Sequence, residues 1–175
     1  MDVKIAFLNG YLKENVFVSQ PEVFDDKGKE HKVCKVFKSL YGLKQARWVW
    51  YENLVGHILK LHFKHYKLDD PTFFVRKVGR YIVFLVVYVD DLLMTGNNED
   101  YIASMKKYLR KCFEMTDLGH LYYYSGIEAT QHPKYIFISQ KKYVGELFKR
   151  FCMKECNPLS SPIEQKLKLT SSEAK

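Results

Sequence analysis

The sequence has no Cys-x-x-Cys pair, no long apolar segment and few acids for its number of bases. Its four cysteines, Cys34, Cys112, Cys152 and Cys156, are scattered. No histidine spacing completes a zinc shell around any of them, so structural thiols are expected. Cys152 and Cys156 stand four apart, as core residues at a helix end would. No secretory signal is recognisable, so a disulfide framework is not expected. The longest apolar run has the length of a strand, short of the ~20 residues a membrane helix needs, and no membrane partner is expected. There are no internal repeats. Lysine and arginine number 28 against 20 aspartate and glutamate, which gives a net charge of +8. That surplus suits a polyanionic partner, although lysine-rich solvated faces produce the same number.

What is present is enough apolar material for a core: 47% hydrophobic and 15% aromatic residues in a chain of 175. That length bounds the chain to one domain with room for a small appendage. Residues 2–8 and 33–37 have strand character, and residues 15–24 include an extended piece ending at Gln20-Pro21. Asp25 to His31 is a charged loop. Residues 46–66 form a helical pattern, with Trp50, Leu54, Ile58 and Leu61 at spacings of four, four and three. His57, His62 and His65 fall on or near it as surface histidines. Residues 72–76 and 81–94 are strands. Asn98 caps a helix running to about Glu114, with Tyr101, Ile102, Met105, Tyr108, Leu109, Cys112 and Phe113 on its apolar side. Lys106, Lys107, Arg110 and Lys111 occupy the other face. Two strands around His132-Pro133 fill 121–138, a helix follows from Ser139 to about Cys152, and a loose tail begins at Pro158.

The chemistry concentrates at Tyr88-Val-Asp-Asp91. The apolar run Tyr81 to Val89 is expected to be an interior strand, covered on both faces and packed under the helix at 98–114. The chain turns at the two aspartates and becomes apolar again at Leu92-Leu-Met94. A solvated acidic turn has the same pattern. A second carboxylate source is Asp2, at the head of its own strand. If the two strands are sheet neighbours, three carboxylates converge, and such oxygen donors suit Mg²⁺. Two such ions about 3.5–4 Å apart form the clamp used for in-line phosphoryl transfer.

Six ordered segments together resemble one family. They are Met1-Asp-Val-Lys-Ile-Ala-Phe-Leu-Asn-Gly10, Ser39-Leu-Tyr-Gly-Leu-Lys-Gln-Ala46, Tyr88-Val-Asp-Asp91, Phe113-Glu-Met-Thr-Asp-Leu-Gly119, Ser125-Gly-Ile-Glu128 and Ile138-Ser-Gln-Lys-Lys-Tyr143. They resemble the reverse transcriptase of copia-type LTR retrotransposons. The resemblance implies an α+β polymerase palm of split βαβ plan, a ferredoxin-like antiparallel sheet with helices on one face. It implies a palm over residues 1–118, with partial fingers at about 9–45. The end of the palm and start of the thumb fall at 119–157, and a flexible tail at 158–175. The implied activity is RNA-directed DNA polymerase, adding deoxynucleotides to a primer 3′ hydroxyl with two Mg²⁺ ions.

Carried over residue by residue, the resemblance makes Asp2, Asp90 and Asp91 catalytic metal ligands, with the Val3 carbonyl as a further ligand. Phe7 matches the aromatic that closes off the sugar 2′ position. Tyr41, Gly42, Lys44 and Gln45 match the segment against the nucleotide and template, and Tyr88 and Val89 match primer-contacting residues. The implied partners are a nucleic-acid template with its primer and deoxynucleoside triphosphates. The implied setting is intracellular, in a cytoplasmic particle or the nucleus. No protease, integrase or RNase H segment is recognisable. The family continues upstream of Asp2, so the expectation is a truncated, inactive remnant; the alternative is a non-catalytic palm remnant that binds nucleic acid.

Three substitutions depart from the family pattern. Val23 stands where the family has a glycine, whose φ freedom valine lacks. Arg47 stands where it has proline, and Trp48 where it has arginine. Neither breaks a helix, but loss of proline removes a fixed φ from its first turn. Restoring both (Arg47→Pro with Trp48→Arg), in a chain carrying the family's upstream segment, is expected to raise nucleotide incorporation in a primer-extension assay. Unchanged incorporation would show the two departures to be neutral.

Overall fold

The computed structural model describes residues 1–21, 28–29, 31–67 and 70–161. Val23, most of the charged 25–31 loop and the tail beyond 161 lie outside them. Backbone contacts divide the chain into two units, Met1–Gly119 and His120–Lys175.

In the first unit the hydrophobic pattern produces a six-stranded antiparallel sheet. Its strands are β1 (Asp2–Val3), β4 (Lys64–Lys67), β5 (Asp70–Val78), β6 (Tyr81–Tyr88), β7 (Asp91–Gly96) and β8 (Met115–Thr116), in the order β4-β5-β6-β7-β1-β8. A separate ribbon joins β2 (Tyr11–Ser19) to β3 (Val33–Lys38). Helix α1 (Ala46–Lys60) follows β3, and α2 (Glu99–Cys112) connects β7 to β8. Taken without β4 and β5, the path β1-α1-β6-β7-α2-β8 is a split βαβ arrangement with β1 inserted between β7 and β8.

Both helices bury their apolar stripes on one face of this sheet. Trp50, Leu54 and Ile58 of α1 and Met105 and Leu109 of α2 share a cluster with Phe74, Val83, Leu85, Val87 and Leu92. Asn98 caps α2, its side chain accepting from Tyr101 N–H at 2.8 Å. Glu99 and Asp100 in the first turn and Arg110 and Lys111 in the last complement the helix dipole.

Several expectations are corrected. The first strand ends at Val3: Ile5 adopts a left-handed conformation (φ 46°), and a short 3-10 helix, Ala6–Asn9, takes the place of strand. Helix α1 stops at Lys60, because His62 is left-handed (φ 60°) and β4 begins at Lys64. Strand β6 is interior, and helices cover only one of its faces. Val83, Leu85 and Val87 are buried, whereas Phe84 and Val86 are half-buried on the other side. There an aromatic row supplies the cover: Tyr66 lies 4.8 Å from Phe73 and Phe73 5.7 Å from Phe84, ring centre to ring centre. A continuous apolar run therefore does not require helices on both sides when aromatics screen the second face.

The second unit holds three antiparallel strands, β9 (Tyr123–Tyr124), β10 (Ile127–Gln131) and β11 (Ile136–Ser139), followed by α3 (Lys141–Arg150). Glu128 of β10 ties the sheet to α3, its carboxylate accepting from Lys142 N–H at 2.9 Å. Cys152 and Cys156 lie beyond the end of α3 and are exposed, so they are not core residues of a helix end.

Leu109 is fully buried beneath the sheet. Leu109→Ala is expected to lower unfolding stability by about 2–5 kcal/mol, measured by chemical denaturation. Breaking the exposed Lys4–Glu114 ion pair (2.7 Å) with Lys4→Ala should leave the denaturation midpoint nearly unchanged.

Candidate functional site

The acidic residues meet where β1 enters the sheet. β6 and β7 form a hairpin whose last register pair is Tyr88–Asp91, leaving Val89 and Asp90 as a two-residue turn. Val89 takes φ 57°, at a turn position where glycine is usual. A β-branched residue is strained there. The turn is held from below: the buried Trp50 donates its indole N–H to the Val89 carbonyl at 2.6 Å.

Strand β1 then zips along β7. Met1 and Leu92 exchange two bonds, Leu92 N–H to Met1 O and the Met1 ammonium to Leu92 O, both at 2.8 Å. Val3 N–H donates to Asp90 O at 2.9 Å, and Lys4 N–H to Glu114 O at 2.9 Å. The result is a register in which Asp2 is directly opposite Asp91. Opposed residues present their side chains to the same face of a sheet. Asp2, Asp90 and Asp91 are all partly exposed, while Val3 and Leu92 point into the core. Partial burial pushes the Met1 ammonium below its usual pKa, against the opposing pull of Asp117, Asp91 and Asp2. The register therefore brings two carboxylate positions face to face and the third into the adjoining turn. Among the described residues, no group of three or more His, Cys, Asp or Glu side chains is arranged to hold a metal ion.

Phe7 belongs to the 3-10 helix that follows β1, and its ring meets Tyr41 at 4.8 Å between centres. Gly10 explains how this helix sits so close to α1. A Cβ at that position would fall 2.8 Å from Val49 Cγ1 and 3.2 Å from Trp50 N. Asn53 of α1 donates to Asn9 O at 2.7 Å, and Ser39 N–H to Gly10 O at 2.8 Å. These contacts hold Phe7 and the 39–45 segment against the same helix that supports the acidic turn. Gly42 has φ 92°, a conformation that favours glycine. Lys44 is exposed, and Gln45 stands at the N-cap of α1 without capping it through its side chain. Tyr88 is exposed beside the turn. Arg47 and the exposed Trp48 occupy the first turn of an intact α1.

Sequence reasoning missed the role of Trp50, which it read only as a core position. Nothing in helical periodicity tells which buried residue spends its polar atom on a distant turn.

A family model described as reverse transcriptase (RNA-dependent DNA polymerase) matches residues 1–165. The chain is 38% identical over 170 residues to the retrovirus-related Pol polyprotein from transposon RE1 of Arabidopsis thaliana. It is 38% identical over 172 residues to that from transposon TNT 1-94 of Nicotiana tabacum, and 37% identical over 170 residues to that from transposon RE2 of Arabidopsis thaliana. Each alignment covers 97% of this chain but only 12–13% of the relative, so the chain spans about an eighth of those polyproteins. No solved structure matches it.

Trp50→Phe keeps the aromatic bulk but removes the indole donor, leaving the Val89 carbonyl without that partner. It is expected to cost about 1–3 kcal/mol in chemical denaturation, with the amide signals of Val89 to Asp91 shifting most in NMR spectra. A cost near zero with those signals unmoved would show that the bond does not hold the turn.

Proposed function

The chain belongs to the reverse transcriptase (RNA-dependent DNA polymerase) family, and from that membership we propose that it supplies the carboxylate core of a copia-type RNA-directed DNA polymerase. In this reading the first unit is the palm, with partial fingers at about 9–45, and the thumb begins after residue 119. The observation that carries the reading is the register pairing of Asp2 with Asp91 beside Asp90, on a sheet of split βαβ path.

The donor set is made entirely of oxygen, which fits Mg²⁺ in preference to softer ions. Asp2, Asp90 and Asp91, with the Val3 carbonyl, are the residues that would hold it. When bound, Mg²⁺ would acidify the primer hydroxyl and neutralise charge on the leaving pyrophosphate. The protein's own contribution is positioning. Trp50 fixes the turn, β1 fixes Asp2 against Asp91, and the Phe7–Tyr41 pair lies on the segments that would flank the incoming nucleotide. Phe7 would exclude a 2′ hydroxyl by clash and so favour deoxynucleotides. Lys44 and Gln45 would meet the nucleotide and template, and Tyr88 and Val89 the primer end.

Primer extension with Mg²⁺ and deoxynucleotides tests this, using the chain joined to its relatives' upstream segment and the chain alone. Asp90→Asn and Asp2→Asn are each expected to reduce incorporation by about a hundredfold or more, with template binding retained. Incorporation that survives both substitutions would overturn the assignment. No incorporation by any form, with oligonucleotide binding intact, would instead favour a non-catalytic nucleic-acid-binding role.

A further inference from the structure

Strand β11 forms one margin of the three-stranded sheet in the second unit, with β10 on its inner side. The run Tyr135-Ile-Phe-Ile138 is open on both faces of that sheet, its four residues keeping 58–64% of their surface. An open margin is normally blunted by a charge or a proline within the strand. Neither stands between Tyr135 and Ser139.

The ladder shows which backbone groups of this margin are free. Opposed residues of an antiparallel pair alternate between exchanging two bonds and exchanging none. Ala129 is opposite Ile138, and Gln131 is opposite Ile136. Ala129 N–H donates away from β11, to Tyr122 O at 2.8 Å, and the turn bond from His132 N–H to Tyr135 O (2.9 Å) falls in the same alternation. Ala129–Ile138 and Gln131–Ile136 are therefore the non-exchanging pairs. The N–H and C=O groups of Ile136 and Ile138 point outward, and nothing among the described residues bonds to them. Two donors and two acceptors on alternate residues are a template for one more strand.

The ends of the margin are basic. Lys134 precedes it and Lys141 follows it, both exposed and neither paired with a carboxylate among the described residues. No acid occurs between Ala129 and Gly145. Glu128 is already engaged, by Lys142 N–H and by the Ser139 hydroxyl at 3.4 Å. A second copy of β11 laid antiparallel on the first would set its lysines beside these, like against like. Nucleic acid shares the attraction to lysine but does not present alternating N–H and C=O groups at strand spacing.

We propose that β11 takes an extended peptide as a fourth strand of this sheet, apolar at alternate positions and acidic at both ends. Main-chain bonds to Ile136 and Ile138 supply the affinity. Phe137 on one face and the two isoleucines on the other give apolar contact, and Lys134 and Lys141 select the acidic flanks. The role uses none of the residues assigned to polymerisation.

The test is fluorescence anisotropy of the whole chain with a fluorescein-labelled peptide of alternating valine and threonine, carrying two glutamates at each end. The same peptide with N-methylated backbone amides, and one with lysines at its ends, are the controls. Both controls should bind about tenfold or more weakly than the acid-flanked peptide. Ile138→Pro removes an outward N–H and no ladder bond, and should weaken the acid-flanked peptide by a similar factor. Lys134→Glu with Lys141→Glu should reverse the preference between the acid-flanked and lysine-flanked peptides. In amide exchange of the unaltered chain, the peptide should slow Ile136 and Ile138 and leave Phe137 unchanged. Equal binding of the methylated and unmethylated peptides would overturn the proposal, leaving a purely electrostatic contact. Loss of oligo(dT) binding in Ile138→Pro equal to the loss of peptide would also overturn it, in favour of a nucleic-acid surface. A dimer in sedimentation that Ile138→Pro dissolves would overturn it in favour of self-pairing. If Ile138→Pro does not fold by circular dichroism, amide exchange decides, and unslowed Ile136 and Ile138 under saturating peptide refute strand addition.

Discussion

Insertion of a two-residue strand between β7 and β8 is the constraint on which the first unit depends. Without β1, β7 would be the edge of a four-stranded sheet and β8 would have no partner in it. Four backbone bonds from Met1, Val3 and Lys4 to Leu92, Asp90 and Glu114 close that gap. The same bonds determine which carboxylates meet. A slip of one residue would turn Asp2 into the core and Val3 out to solvent. Burial of Val3 and Leu92 therefore enforces the Asp2–Asp91 pairing through the hydrophobic effect, a force with no preference for carboxylates. Repulsion between the acids opposes the arrangement, and the core beneath them outweighs it.

Two strained positions flank this junction. Ile5 and Val89, both β-branched, adopt left-handed conformations on either side of the acidic residues. Such conformations cost of order 1–3 kcal/mol each and persist only where the surroundings over-determine them. At Val89 the surroundings are Trp50 and the hairpin register; at Ile5 they are the 3-10 helix clamped to α1 through Asn9 and Gly10. Helix α1 is thus the common support of both strained positions.

Much of this was readable from the residues. The apolar run from Tyr81 and its acidic end were legible as strand and turn, because apolar continuity and a following polar break are local signals. The α2 stripe and its Asn98 cap were legible for the same reason. Other features were not. The length of β1 was hidden because Ile-Ala-Phe-Leu has strand composition, while its fate is decided by packing against α1. The end of α1 was hidden because Leu61 and Phe63 continue an apolar pattern that the backbone breaks at His62. What covers the outer face of β6 was hidden, because an apolar run does not tell whether a helix or an aromatic row screens it. As for the site, adjacency of Asp2 to the hairpin is a matter of sheet order between residues about ninety positions apart, and no local pattern encodes it; only the ordered resemblance pointed to it. The three small strands of the second unit lie where two were expected, since Tyr123–Tyr124 is too short to carry a period.

The two tryptophans divide the chain's light emission between two environments. Trp48 and Trp50 are two residues apart on α1, yet Trp48 faces water and Trp50 is enclosed, its indole bonded to the acidic turn. A collisional quencher in solution therefore reaches one fluorophore and not the other. The protected component carries a blue-shifted signature of the Val89 carbonyl's surroundings, so the protein holds its own optical probe within one hydrogen bond of its acidic residues.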